Sequence, residues 1–461
     1  MDEDVAFVVD EMIKNVEKLE KAEKFTLKAE KSGIGALLSR LRGAEEPSTS
    51  EIPPEKRPRE DFSDGNRKLN RKERRALQQA ELKEKYEENK KIEVVVPKVY
   101  GKAKVPYLVS TSCDEKSFQN YKATFGYTKT RGNNYVRYSL LNKDGKYAAV
   151  AAQDRYLRVY DMENPSTPLW THNMGGLIYG VSWCNDTNAV LTTSKDHPIH
   201  MWDGATGERI RAFIGKDHAD AVDTAFCVAN VGNTIIGGYK KNYKVWDIER
   251  GGNPINTVSF YDKDWNSGLN GRPMTIDSCP VMKNTFAVAG ASERVAIYSD
   301  QCKTAVNTII GSNRGYTHLK YSDDGIKLYA SERKGDIHCF DVRMEALVQV
   351  FKREMNANHR AIFDIDFESR HLYSGTSTGK VVCYDIGDFN EDVQPMYQLK
   401  VARTCVPCVS VTPGKLILCS GERIFPLSDL CDSDEEAENK LDSVSLYPSN
   451  SFQVFDICTV D

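Results

Sequence analysis

The sequence predicts an all-β fold, a seven-bladed propeller, and two recurrences carry that prediction. The first is a short phrase of alternating apolar residues, an aromatic and usually Asp. Its clearest copies are Leu157-Arg158-Val159-Tyr160-Asp161, Ile199-His200-Met201-Trp202-Asp203 and Tyr243-Lys244-Val245-Trp246-Asp247. Weaker copies are Val295–Tyr298, Ile337–Asp341, Val381–Asp385 and Phe452–Asp456. The second recurrence precedes each phrase: an apolar strand, a turn and another strand, clearest in Thr317–Gly325 and visible in Val136–Gly145 and Ile178–Asp186.

The phrase's aromatic falls at 160, 202, 246, 298, 340, 384 and 455, in steps of 42, 44, 52, 42, 44 and 71. Short Val/Ile/Tyr-rich strands between Gly, Asn and Asp turns, with a period near 42, are the WD40 signature of one four-stranded blade. Seven copies imply seven blades. An open ring would leave unpaired edge strands. Tyr107-Leu108-Val109-Ser110-Thr111 lies before the first full repeat and is expected to supply the outer strand of the last blade.

The propeller is expected to occupy residues 104–461, behind a charged, partly helical and partly disordered region at 1–103. There, Val5, Val9, Met12, Val16 and Leu19 show heptad spacing for about two heptads. This fits a marginal amphipathic helix or a partner-docking helix. Residues 43–66 mix Gly, Pro, Ser and charge without periodicity and read as a disordered linker. Lys56-Arg57-Pro58-Arg59, and the cluster Arg67, Lys68, Arg71, Lys72, Arg74 and Arg75, fit a nuclear-import signal, an RNA-contacting arm or a solvated charged helix. The long steps mark insertions. One is a polar stretch around Tyr261–Arg272. The other, the acidic segment 426–450, falls between the second and third strands of the last blade. In it Ser433 is followed by Asp434, Glu435 and Glu436, which suits a solvated acidic loop or a phosphorylation site for an acid-directed kinase.

Composition narrows the function. Lys+Arg is 62 against Asp+Glu 66, so the net charge of -4 excludes a bulk polycation, and any nucleic-acid site must be a local patch. The 12 cysteines lie largely in strand-like runs without paired spacing, which fits a reducing compartment. The acidic start (Asp2, Glu3, Asp4) does not read as a signal peptide. No apolar run reaches the ~18 residues of a membrane span, so no membrane partner is expected. No phosphate loop, nucleophile elbow or zinc-binding helix motif is present, so neither an enzyme nor a cofactor is expected. Cys405-Val406-Pro407-Cys408 has metal or redox spacing but no second pair, and is read as packing with no metal. His318 is expected to join a hydrogen-bond network within the propeller.

The turns joining second to third strands all project onto one face of a propeller. Asp154 and Asp196 hold the consensus acid in blades one and two. The turns also carry bases: Arg155; Lys195 with His197; Lys240 and Lys241; Arg294; Arg333 and Lys334; Lys380; and Arg423. A ring of cations suits a phosphate backbone, because neutralising phosphates releases condensed counterions. Tyr179, Tyr316 and Phe363, near the starts of inner strands, are read either as base-stacking residues or as blade packing.

Several of these segments resemble the telomerase Cajal body protein family. Pro198–Glu208 is similar to that family's second blade; Gly315-Tyr316-Thr317-His318-Leu319 with Arg333-Lys334 to its fifth; and Arg360–Asp366 with Ser374–Gly379 to its sixth. Ser420-Gly421-Glu422-Arg423-Ile424-Phe425-Pro426 followed by an acidic insert carries the most weight, since a blade interrupted there is unusual among WD40 proteins. The resemblance covers roughly residues 105–456. It implies a non-enzymatic scaffold that recognises small Cajal-body RNAs, and telomerase RNA where it carries a CAB box. It also implies contacts with ribonucleoprotein and Cajal-body proteins, and nuclear residence in Cajal bodies. The N-terminal region here is basic and helical rather than Pro-rich, a departure from the family. The competing expectations are a peptide-binding WD40 adaptor and an assembly platform using the N-terminal helix.

Overall fold

A computed structural model describes residues 106–118, 122–125, 128–131, 134–299, 302–333, 335–355, 360–366, 370–387, 393–422 and 450–459. The heptad helix, the linker, the basic clusters, Lys334, Arg423, Ser433 and almost all of the acidic insert lie outside the described residues. The described chain forms seven four-stranded antiparallel sheets and two small hairpins, so the propeller and its blade count are as the repeats predict. Blade 1 comprises Val136–Leu141, Tyr147–Ala152, Tyr156–Asp161 and Trp170–Asn173, ordered from the inner to the outer strand. Blades 2 to 6 repeat this order over 178–213, 227–259, 273–310, 316–351 and 364–400.

Blade 7 closes the ring. Its inner three strands are Cys408–Thr412, Lys415–Ser420 and Ser451–Thr459, and its outer strand is Pro106–Asp114 from before blade 1. The outer pairing runs from Pro106 opposite Thr459 to Asp114 opposite Phe452. The closure is sealed on its inner side too, where the Leu141 amide donates to Ser410 Oγ at 3.2 Å. On the outside, the Tyr160 hydroxyl donates to the Asp114 carboxylate at 2.9 Å.

The recurrent phrase is the third strand of every blade, and its residue types follow from that place. The aromatic fills the space between blades: Tyr160, Trp246, Tyr298, Phe340 and Tyr384 are at most 1% exposed. Trp202 is the half-buried exception; its indole N–H is bonded to Thr192 Oγ1 at 3.0 Å. The following Asp turns the chain into the fourth strand. The carboxylates of Asp161, Asp203, Asp247, Asp341 and Asp385 each accept the backbone N–H two residues on, at 2.8–3.0 Å. These are Asx turns, which a carboxylate forms more readily than an apolar side chain can.

Candidate nucleic-acid interface

The starts of the inner strands and the second-to-third strand turns share one end of the propeller, and on its axis there lies a cavity of about 320 Å³. Blades 1 to 5, and the segment leading into blade 6, all contribute lining residues. Among the described residues the lining contains Arg137, Arg272, Arg333 and Arg360 and no Asp or Glu. Tyr135, Tyr138, Tyr179, Phe226 and Tyr316 supply the rings.

Repetition explains the convergence. Arg137, Tyr179, Met274 and Thr317 are each the second residue of an inner strand, and all four line the cavity. Arg272 immediately precedes the inner strand of blade 4. Two glycines keep the backbone tight here. A Cβ on Gly290 would lie 2.1 Å from the Arg272 carbonyl oxygen, and one on Gly315, at φ +74°, would lie 2.5 Å from that of Gly290. The described residues of blade 7 do not appear in the lining. Instead, Ile362 forms a parallel bridge with Cys408 on its inner edge, which carries Arg360 past blade 7 towards blade 1.

The arginines are held by rings. The Arg360 guanidinium sits 4.7 Å from the centre of the Tyr138 ring, Arg137 5.8 Å from Tyr179, and Arg272 5.2 Å from Phe226. Such contacts orient a guanidinium without neutralising it. Among the described residues, Arg137, Arg272 and Arg360 make no ion pair with a carboxylate. Burial, and secondly the Arg137 charge, push the Arg360 guanidinium down to about 9. It is still a cation at neutral pH, one with no carboxylate partner among the described residues.

Of the predicted contacts, Arg333 and Tyr179 line this cavity. The others are placed differently. Arg155 donates to the Gly175 carbonyl at 3.1 Å. Lys195 is exposed beside Asp196 at 3.7 Å. His197 is half-buried, with its Nδ1 2.6 Å from the Lys195 carbonyl. Lys240 and Lys241 are exposed on the blade 3 turn. Lys380 opens a third strand, opposite Lys400 and away from the axis.

Two further expected contacts have partners within the protein. Arg294 is engaged by the insertion after blade 3, a hairpin of Tyr261–Asp262 and Ser267–Gly268. It donates to the Asn266 carbonyl and side-chain oxygens at 2.6 and 3.0 Å, so it pins this hairpin. Phe363 is fully buried and meets His318 edge-on at 5.1 Å, so its ring is inaccessible to a base. Tyr316 is 1% exposed, with its hydroxyl accepting from the Ser312 amide and bonded to His338 Nδ1.

Sequence reading missed Arg137, Arg272, Arg360 and Phe226. A signal existed for three of them: the Arg137 and Tyr179 positions coincide in strand register, and Arg272 and Phe226 each sit directly before an inner strand. Cys405 and Cys408 are fully buried; Cys405 packs on Met355 sulfur at 3.9 Å, and burial raises both thiols, Cys405 to about 12.

Seven blades of this kind, ringing an arginine-lined mouth, define a WD40-type propeller scaffold. The chain is similar to Telomerase Cajal body protein 1 of Mus musculus, 26% identical over 376 residues that make up 75% of this chain and 68% of the mouse protein. The protein of that name in Rattus norvegicus is 26% identical over 372 residues, 74% of this chain and 66% of the rat protein. The resemblance read from the blade motifs is thus borne out. The chain is also similar to Guanine nucleotide-binding protein negative regulator 1 of Schizosaccharomyces pombe, 25% identical over 283 residues, 57% of this chain and 70% of that protein. No protein-family model matches the chain.

Proposed function

We propose that this chain is a non-enzymatic RNA-binding scaffold of the nucleus. It recognises small Cajal-body RNAs, and telomerase RNA where that RNA carries a CAB box, through the cationic end of its propeller. In doing so it brings the ribonucleoprotein to Cajal bodies. The observation that carries this reading is the mouth itself: four arginines from different blades, no carboxylate in the lining among the described residues, and aromatic rings beside them. Arg137, Arg272 and Arg360, which pair with no carboxylate among the described residues, can hydrogen-bond phosphate in bidentate fashion, and partly exposed rings accept unstacked bases. The names of the mouse and rat relatives support Cajal-body ribonucleoprotein as the client. Lys195, Lys240, Lys241 and Arg333 extend the positive surface outward, with Lys334 and Arg423 proposed as further phosphate contacts.

The test is fluorescence anisotropy of the whole chain with the terminal loop of a small Cajal-body RNA and with a scrambled loop. The intact loop is expected to bind more tightly, and log Kd should rise linearly with log salt at about 0.7 per phosphate contacted. Equal, weak binding of both loops, with tight binding of an acidic or neutral peptide instead, would make the propeller a peptide adaptor.

A further inference from the structure

The mouth is far too small for a duplex. At about 320 Å³ it lies at the lower end of small-ligand sites, which run from about 300 to 1,000 Å³. Its chemistry is also divided. Arg137 and Arg360 lie on the side of blade 1, Arg360 over the Tyr138 ring and Arg137 over that of Tyr179. Tyr179 and Phe226, from blades 2 and 3, form a second zone with ring centres 5.7 Å apart and planes inclined by 52°. Both rings are only half-buried, unlike Tyr138 and Tyr316, and both line the cavity, Tyr179 beside Arg137 and Phe226 beside Arg272. The Tyr138 hydroxyl donates to the Tyr179 carbonyl and thereby fastens the two zones together.

Two neighbouring cations that pair with no carboxylate among the described residues, and two half-buried rings beside them, are complementary to the two halves of one nucleotide. Resting on the RNA-binding reading above, we infer that the propeller mouth receives a single nucleotide extruded from an RNA loop, its phosphate between Arg137 and Arg360 and its base against Tyr179 and Phe226. The remaining loop nucleotides then run over the outer cations Lys195, Lys240 and Lys241, which are exposed. Sequence discrimination is concentrated at one loop position, because one base alone is desolvated by the protein. The outer contacts contribute affinity that is nearly independent of sequence.

The inference is tested by coupling. The whole chain is titrated with a fluorescein-labelled hairpin RNA bearing an unpaired terminal loop, and with versions that carry one abasic ribose at each loop position in turn. Wild type is compared with F226A, Y179A and the K240A/K241A pair, with thermal melts confirming that each variant folds. One abasic position is expected to weaken wild-type binding by roughly 5- to 150-fold, the range for one stacked base. The same position should cost almost nothing further in F226A, whereas it should cost K240A/K241A as much as wild type. Binding that is weakened by K240A/K241A, yet equally tolerant of abasic sites everywhere and unchanged in F226A, would overturn the single-nucleotide mouth and leave RNA binding standing. Absence of salt-sensitive binding by the wild-type chain would overturn both.

Discussion

Arg360 reaches from the entry of blade 6 to lie 4.7 Å from the ring centre of Tyr138 in blade 1, although the whole of blade 7 lies between those two blades around the ring. This contact spans the seam where the two ends of the propeller are joined. It holds an unpaired cation in place by dispersion and ring electrostatics.

Such a cation weakens the fold it sits in. Burial and Arg137 lower the Arg360 guanidinium to about 9, so its charged form is disfavoured in the native state. The R360Q variant is therefore expected to melt at the same temperature as wild type or higher, while losing about ten-fold or more in RNA affinity, as suits a charge-assisted bond of about 1.5–3 kcal/mol. Calorimetry and anisotropy on one preparation measure both. A lower melting temperature with unchanged affinity would make Arg360 purely structural.

The turn cations divide into free and engaged groups, and salt dependence separates them. K240A/K241A should lower the slope of log K against log salt by up to about 1.4, two contacts at about 0.7 each for single strands. R294A should leave that slope unchanged, because Arg294 is bonded to Asn266. Its effect should appear instead as faster proteolysis between Asp262 and Asn266, where Trp265 is 80% exposed.

Closure depends on a buried hydroxyl–carboxylate bond as well as on strand pairing. Y160F removes the donor to Asp114, which lies at 5% exposure, and leaves that acceptor short of one bond. A loss of about 1–3 kcal/mol in urea unfolding is expected. Deleting 106–114 removes the outer strand of blade 7 altogether and should yield aggregating protein, seen by light scattering, since the exposed edge of Ser451–Thr459 would pair between molecules.

His318 gives the propeller an acid limit. Burial pushes its imidazole down to about 4, with Asp364 opposing and Lys320 assisting the shift. The native state holds it neutral while the unfolded chain takes up a proton first. Its contribution is complete above pH 6.5 and is lost as pH falls through 4, by up to about 3 kcal/mol. Asp277, raised by burial to about 6, acts in the opposite sense and favours folding as pH falls below that value. Urea midpoints taken from pH 7.5 to 4.5 should therefore fall less in H318N than in wild type; parallel curves would remove His318 from the account.

Local pattern determined much of this protein. The period, the third-strand aromatic, the turning Asp and the outer strand at Tyr107 were all legible, because a blade's strands alternate faces and its turns recur at fixed offsets. The seven blades follow from those repeats, and so does the end of the ring on which the second-to-third turns lie. Tertiary structure decided which cations remain available. Arg294 and Lys195 look equally free in sequence, yet one is bonded to a hairpin 28 residues earlier and the other is exposed beside Asp196. Arg137, Arg272 and Arg360 are more than 200 residues apart at their extremes and meet only because the ring closes. Repetition fixes where a residue stands within its blade, whereas its partners come from other blades, and that pairing is a property of the closed ring.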